Sequence, residues 1–308
     1  MNKYLLFIGL FLCSIVVRAQ LTYETLYVDY DSAWQYKNLK LIPIRPKQGS
    51  GNQMPGVISL SQALQQGLAT ISERGTASTE NVHFLRINNR SDKSLLISSG
   101  ELIAGGRQDR IVAKDTILAP SGKDQYIPVM CVEELRWSEK EKKFVYGNFA
   151  NPFLRKVLDE NKNQVLIWKE ISNQLGEGNI KNKTLSYLSR NADKKMMFSA
   201  DEYFKFFQQK FRDADSNIVG FVAVSGNKVI GCDIYAGRDL FYSQLDPLLR
   251  GYIDGAILHG SPVTLPDDPV VKEYMDKLLK DEKSQEAFVK YNGKIFRQNN
   301  QVIHINTF

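Results

Sequence analysis

Eleven residues, GELIAGGRQDR at 100–110, gather a glycine pair, two carboxylates, two arginines and an amide. A second concentration, PVMCVEELRW at 128–137, holds a thiol, two more glutamates, another arginine and an indole. Arginine offers a bidentate fork for carboxylate or phosphate, and glutamate orients such a fork or accepts sugar hydroxyls. The indole adds a stacking face. Glu101, Gln108, Arg110, Cys131, Glu133, Arg136 and Trp137 are therefore the candidate ligand-binding set, and the partner they suit is an anionic small molecule. A hydrolase reading casts Glu133 or Glu101 as general base, with Arg110 or Arg136 stabilising developing negative charge. A third reading makes the same charges a folding network in an envelope interaction protein that holds no small ligand. Buried and fully paired guanidinium groups would mark the network; an open cleft edged by Trp137 would mark a site.

Other chemistry is excluded more sharply. Gly100 to Gly106 spans a G-x-x-x-x-G, but Arg107-Gln108 follow where a phosphate loop needs lysine and a hydroxyl, and a strand follows where it needs a helix. No G-x-G-x-x-G opens a helix, and no G-x-S-x-G supports a serine hydrolase. His83, His259 and His304 are far apart, and neither C-x-x-C nor H-E-x-x-H occurs, so no metal and no cofactor is expected. Cys131 as a nucleophile would need a cation or a base, and its nearest neighbours in sequence are acidic.

The elements that must hold these residues follow from pattern. NLKLIPIRP (38–46) reads as a strand closed by proline. Ser59 and Gln62 form a capping box for a helix whose apolar face runs Ala63, Leu64, Leu68, Ile71 and which ends at Gly75. From Asn81 to about Val145 the period falls to two, with turns at RSDK and SGKD, which predicts successive short strands. Helices follow at Pro152–Glu160, Gln164–Leu175 and Ser199–Phe211, the last from a second capping box, Ser199 with Glu202, and striped by Phe204, Phe207 and Phe211. A hairpin turning at Gly226-Asn227 precedes helices from about Phe241 to Ile257 and from Asp268 to Lys280. The chain closes on a hairpin turning at Asn292-Gly293. The expectation is an α+β domain over 20–308. Its first part, to about 147, is β-rich and sandwich-like with one capped helix; it packs against a helical and hairpin second part, from about 148.

The first nineteen residues read as a secretory leader: Lys3, an apolar run from Tyr4 to Val17, then Val17 and Ala19 before cleavage at Gln20. The expected address is secreted or periplasmic, with no transmembrane segment in the mature chain. About 290 residues remain, enough for one large domain. Lys3 and Arg18 leave with the leader, so the formal charge of +6 drops to +4. The lysines are interspersed with acids, as in KDEK at 280–283, and no aromatic-basic motif accompanies them, so no nucleic-acid partner is expected. Cys131 and Cys232 could bridge in an oxidising compartment, constraining the unfolded chain by about 4–5 kcal/mol, or stay buried thiols.

The two polar segments together resemble the signature of the ARG and rhodanese-phosphatase-superfamily-associated protein domain family. Its members show a G-E-E-L-x-G-x-K-Q-N-R segment, then a strand, then P-V-S-C-V-E-x-G-R-W. Glu101, Leu102, Gly105, Gln108, Arg110, Pro128, Val129, Cys131, Glu133, Arg136 and Trp137 are shared, while Arg107, Asp109, Met130 and Leu135 stand where lysine, asparagine, serine and glycine are usual. The resemblance runs from about Leu41 to near Ile257. By analogy with the proteins in the family's name, it implies a setting of NAD-derived or phosphorylated nucleotides, and an ADP-ribose-like ligand.

Overall fold

The computed structural model describes residues 20–49, 56–75, 81–138, 142–264 and 269–308; the leader lies outside these residues. The architecture is α+β. A seven-stranded antiparallel sheet runs Leu26–Val28, Leu39–Pro46, Gly220–Ser225, Lys228–Tyr235, Gln301–Thr307, Gly293–Gln298, with Trp34–Tyr36 paired to Leu39–Pro46 off this path. Strands from either side of residue 147 share this sheet. Alternation along them sends Leu39, Leu41, Phe221 and Tyr235 to one core and Ile42, Ile44, Val222 and Ile234 to another. Helices Lys194–Asp213 and Arg238–His259 close the first core, and helices Pro269–Leu279 and Glu282–Asn292 the second.

The sandwich-like part is a six-stranded sheet, Lys142–Phe149, Glu101–Gly106, Arg110–Val112, Asp124–Cys131, Phe84–Asn89, Ala69–Glu73, against a three-stranded one, Thr116–Leu118, Ser94–Ile97, Val57–Ser59. Ile58, Leu95 and Ile97 meet Ile87, Ile103 and Val129 between them. Helices Pro152–Asn161 and Gln164–Glu177 cover the outer side of the signature strands, through Leu154, Leu158, Ile167 and Ile171 on Leu102 and Ile111.

Three expected boundaries move. Ser59 does cap its helix, accepting from the Gln62 N–H at 3.3 Å, but the helix is only Leu60–Gln65. Gly67, at φ +70°, turns the chain, and residues 69–73 form a strand against Phe84–Asn89. The third helix of the middle begins at Lys194, capped by Asp193, so Ser199 lies inside it. The last hairpin turns at Asn299-Asn300, both left-handed at φ 50° and 62°, while the Ala287–Asn292 stretch expected as strand is helical. Gly293 then enters the sheet where a Cβ would strike the Asn306 carbonyl. The expected start at Asp268 lies outside the described residues; the helix there runs from Pro269.

Candidate functional site

The first signature segment is a strand that ends on its glycine pair. Gly105 and Gly106 have φ +112° and +52°, and a Cβ at either would strike the Lys143 carbonyl or the Phe144 ring. Arg107–Asp109 then reverse the chain, and Arg110 opens the return strand opposite Ile103 on one side and Cys131 on the other.

The charges of this turn are consumed internally. Arg110 is wholly buried, with Nη2 3.7 Å from Glu73 Oε2 and Nη1 donating to Gln108 Oε1 at 3.5 Å. Glu73 Oε1 accepts the Arg107 N–H at 2.7 Å. Gln108 Nε2 donates to the Glu133 carbonyl at 2.9 Å, and the Asp109 N–H to Glu133 Oε2 at 3.2 Å. Arg136 makes four bonds: to Glu133 at 2.5 Å, and to the Gly106 carbonyl, the Gly105 carbonyl and Asp109 at 3.0 Å each. Asp109 also accepts from the Gly105 N–H and the Ser186 hydroxyl, both at 2.8 Å. The Arg107 guanidinium donates to the Ser138 carbonyl at 2.8 Å, while Arg110 faces Glu73 and Arg136 faces Asp109 and Glu133.

The structure brings Gln108, Arg110, Glu133 and Arg136 together. An extended 129–135 would have put Glu133 and Arg136 on opposite faces; instead the strand stops at Cys131, the chain bends, and the two meet as an ion pair. Cys131 is buried beneath them, its backbone N–H and carbonyl both bonded to the Gln164 amide at 2.8 and 2.7 Å. Cys131 and Cys232 are not joined in a disulfide, and burial pushes the Cys232 thiol well up. Trp137 stands at the rim, 43% exposed. Glu101 is elsewhere: at the far end of its strand it accepts from the Ser98 N–H at 2.7 Å and the Tyr146 hydroxyl at 2.9 Å. Burial pushes its carboxyl up to about 8.

Sequence reading missed two further polar groups. In the first, Asp233 takes a two-pronged Arg155 at 2.7 and 2.9 Å, the Tyr252 hydroxyl at 2.6 Å and His304 Nε2 at 2.8 Å. The other ring nitrogen of His304 lies 3.4 Å from Asp115, which Lys294 holds at 3.1 Å while also reaching Asp159 at 2.9 Å. Burial disfavours a charged ring at His304, but its bonds to Asp115 and Asp233 outweigh this and raise its pKa. Burial likewise would raise both carboxyls; Arg155 and His304 hold Asp233, and Lys294 and His304 hold Asp115, well below the usual range. The signal was the alternation of the last strand, which turns His304 and Asn306 inward.

The second group lines a cavity of about 160 Å³ between helices Lys194–Asp213 and Arg238–His259 and strand Lys142–Phe149. Arg190, 1% exposed, reaches it from a short 3₁₀ turn, bound through Nη2 to Asp254 at 2.7 Å and through Nη1 to Gln174. Its buried Nε meets no acceptor among the described residues. Asp254 also accepts from Tyr187 at 2.9 Å and Asn151 at 3.0 Å. Arg250 and Asp201 stand at the mouth, 3.8 Å apart and partly exposed. Asn148, at φ +70°, separates this cavity from a larger groove lined by Tyr146 and Tyr242. No local motif announces Arg190; it becomes visible only when three helices meet.

No curated protein and no solved structure matches the chain. The family comparison does: the turn of residues 100–110, knotted to 128–137 inside a fold spanning almost the whole chain, lies within the match over residues 27–304, and the chain belongs to the ARG and Rhodanese-Phosphatase-superfamily-associated Protein domain family.

Proposed function

We propose that this chain is an exported small-molecule-binding domain whose signature segments build the frame and whose ligand enters the cavity beside Arg190. The observation that carries this is a cavity that joins a buried guanidinium, Arg190, and three further charged side chains, Asp201, Arg250 and Asp254, to an apolar wall that includes Leu102, Phe149, Ile253 and Ile257. The arginines of the signature segments support a framing role, because Arg110 is buried and Arg136 spends its donors on two carbonyls and two carboxylates. Catalysis by Glu133 or Glu101 is the weaker reading. The first is tied to Arg136 and the second is a neutral acid at pH 7.

At about 160 Å³ the cavity falls below the roughly 300–1,000 Å³ of sites for drug-sized ligands, which favours a compact ligand over a nucleotide sugar. Ligand-observed NMR with a fragment mixture tests the reading on wild type and on Ala200→Trp, which fills the cavity from helix Lys194–Asp213. Binding that Ala200→Trp abolishes is expected, with its circular dichroism unchanged. No binding, or binding that the variant leaves intact, overturns the proposal.

The apolar leader supports export with cleavage before Gln20. No helix among the described residues is long and apolar enough to cross a membrane. N-terminal sequencing of the cell-envelope fraction should read from Gln20; a chain that keeps Met1 rules export out.

A further inference from the structure

Resting on that binding role, we infer that the Arg190 cavity takes a free α-amino acid with a compact apolar side chain. Two guanidinium groups, Arg190 and Arg250, and two carboxylates, Asp201 and Asp254, line the one cavity. The set is neutral, so a ligand with a single net charge would leave one side chain uncompensated, whereas a zwitterion keeps the balance.

The two pairs differ in how much they hold in reserve. Asp254 is fully engaged, accepting from Arg190, Tyr187 and Asn151. Arg190 lines the cavity, and its positive charge favours a carboxylate placed beside it. Arg250 and Asp201 lie 3.8 Å apart, with side chains 41% and 56% exposed; Arg250 is seated over the Phe204 ring at 4.1 Å and does not depend on Asp201 for its place, so the pair can part to receive a carboxylate oxygen and an ammonium group. Between these charges, on the same two helices, stand Met196, Met197, Ile253 and Ile257. Methionine adapts to irregular apolar shapes, which admits branched and aromatic side chains alike. The cavity volume, about 160 Å³, matches an apolar cavity of roughly 150 Å³ that accommodates benzene.

Calorimetric titration of the full mature chain separates the parts of this recognition. L-Leucine, L-methionine and L-phenylalanine are the probes, alongside 4-methylpentanoate, which lacks the ammonium group, and 3-methylbutylamine, which lacks the carboxylate. The expected result is that at least one amino acid binds, and that each leucine fragment binds at least about tenfold more weakly than leucine. Asp201→Asn should weaken leucine by about tenfold without weakening 4-methylpentanoate, since it removes the ammonium's partner and frees Arg250 for the carboxylate. Equal affinity for leucine and 4-methylpentanoate would overturn the inference in favour of a simple carboxylate site. Fragments that bind and are lost in Ala200→Trp, with no response to any amino acid, would overturn it while keeping the binding role. No binding by any of these probes or by the fragment mixture removes both.

Discussion

Arg136 is the residue on which the signature turn closes. Its guanidinium spans the carbonyls of Gly105 and Gly106 and the carboxylates of Asp109 and Glu133, so one side chain fixes both signature segments. Removing it strands two largely buried acids and two carbonyls. Arg136→Ala should therefore lower unfolding free energy by about 3–5 kcal/mol, read from denaturant titration. A loss under about 1 kcal/mol would return the pair to the class of surface ion pairs. Half of this arrangement was legible in sequence, since Gln108, Arg110, Glu133 and Arg136 all stand in the two conspicuous segments. The other half, Glu73 and Ser186, was not: each comes from ordinary-looking sequence and is drawn in only by sheet pairing or by the bridge of Ser186 to Glu133.

Elements were legible where one local preference acts alone. Pro152 at the first turn with Asn151 as cap, and the Gly226-Asn227 hairpin, appear where their residue types place them. Where two local signals compete, long-range pairing decides. Ser199 with Glu202 is a plausible cap, but Asp193 accepts from the Met196 N–H and caps the helix about one and a half turns earlier, although no side chain in that added stretch is buried. Leu68 and Ile71 fit a helical face equally well, yet pairing with Phe84–Asn89 converts them once Gly67 breaks the helix. In the last hairpin, two asparagines accept the left-handed turn that glycine was expected to make.

At the scale of the whole molecule, the buried charges set an unusual pH dependence. Burial pushes Glu101 from an ordinary value near 4.5 to about 8, so the unfolded chain releases that proton first. Its stabilising contribution is whole below about 4.5 and lost as pH rises to about 8, at up to about 1.4 kcal/mol per pH unit. His304, raised above 6.5, adds a loss in the same direction as pH climbs through its folded value. Asp115 and Asp233, held below 3.8, contribute above that value and lose their contribution as pH falls. Thermal melts between about pH 4 and about pH 9 should give the highest Tm on the acid side, and Glu101→Gln should flatten the decline. A Tm that peaks above neutrality, or a variant with the wild-type slope, contradicts this account. The strand that carries His304 has a consequence for biosynthesis as well. Gln301–Thr307 is an interior strand, between Lys228–Tyr235 and Gly293–Gln298, and is made after both of them. Until it emerges from the ribosome, Asp233 lacks its His304 partner and strand Lys228–Tyr235 has an unpaired edge. Chain order itself therefore postpones closure of this sheet until the residues from 301 onward have been made.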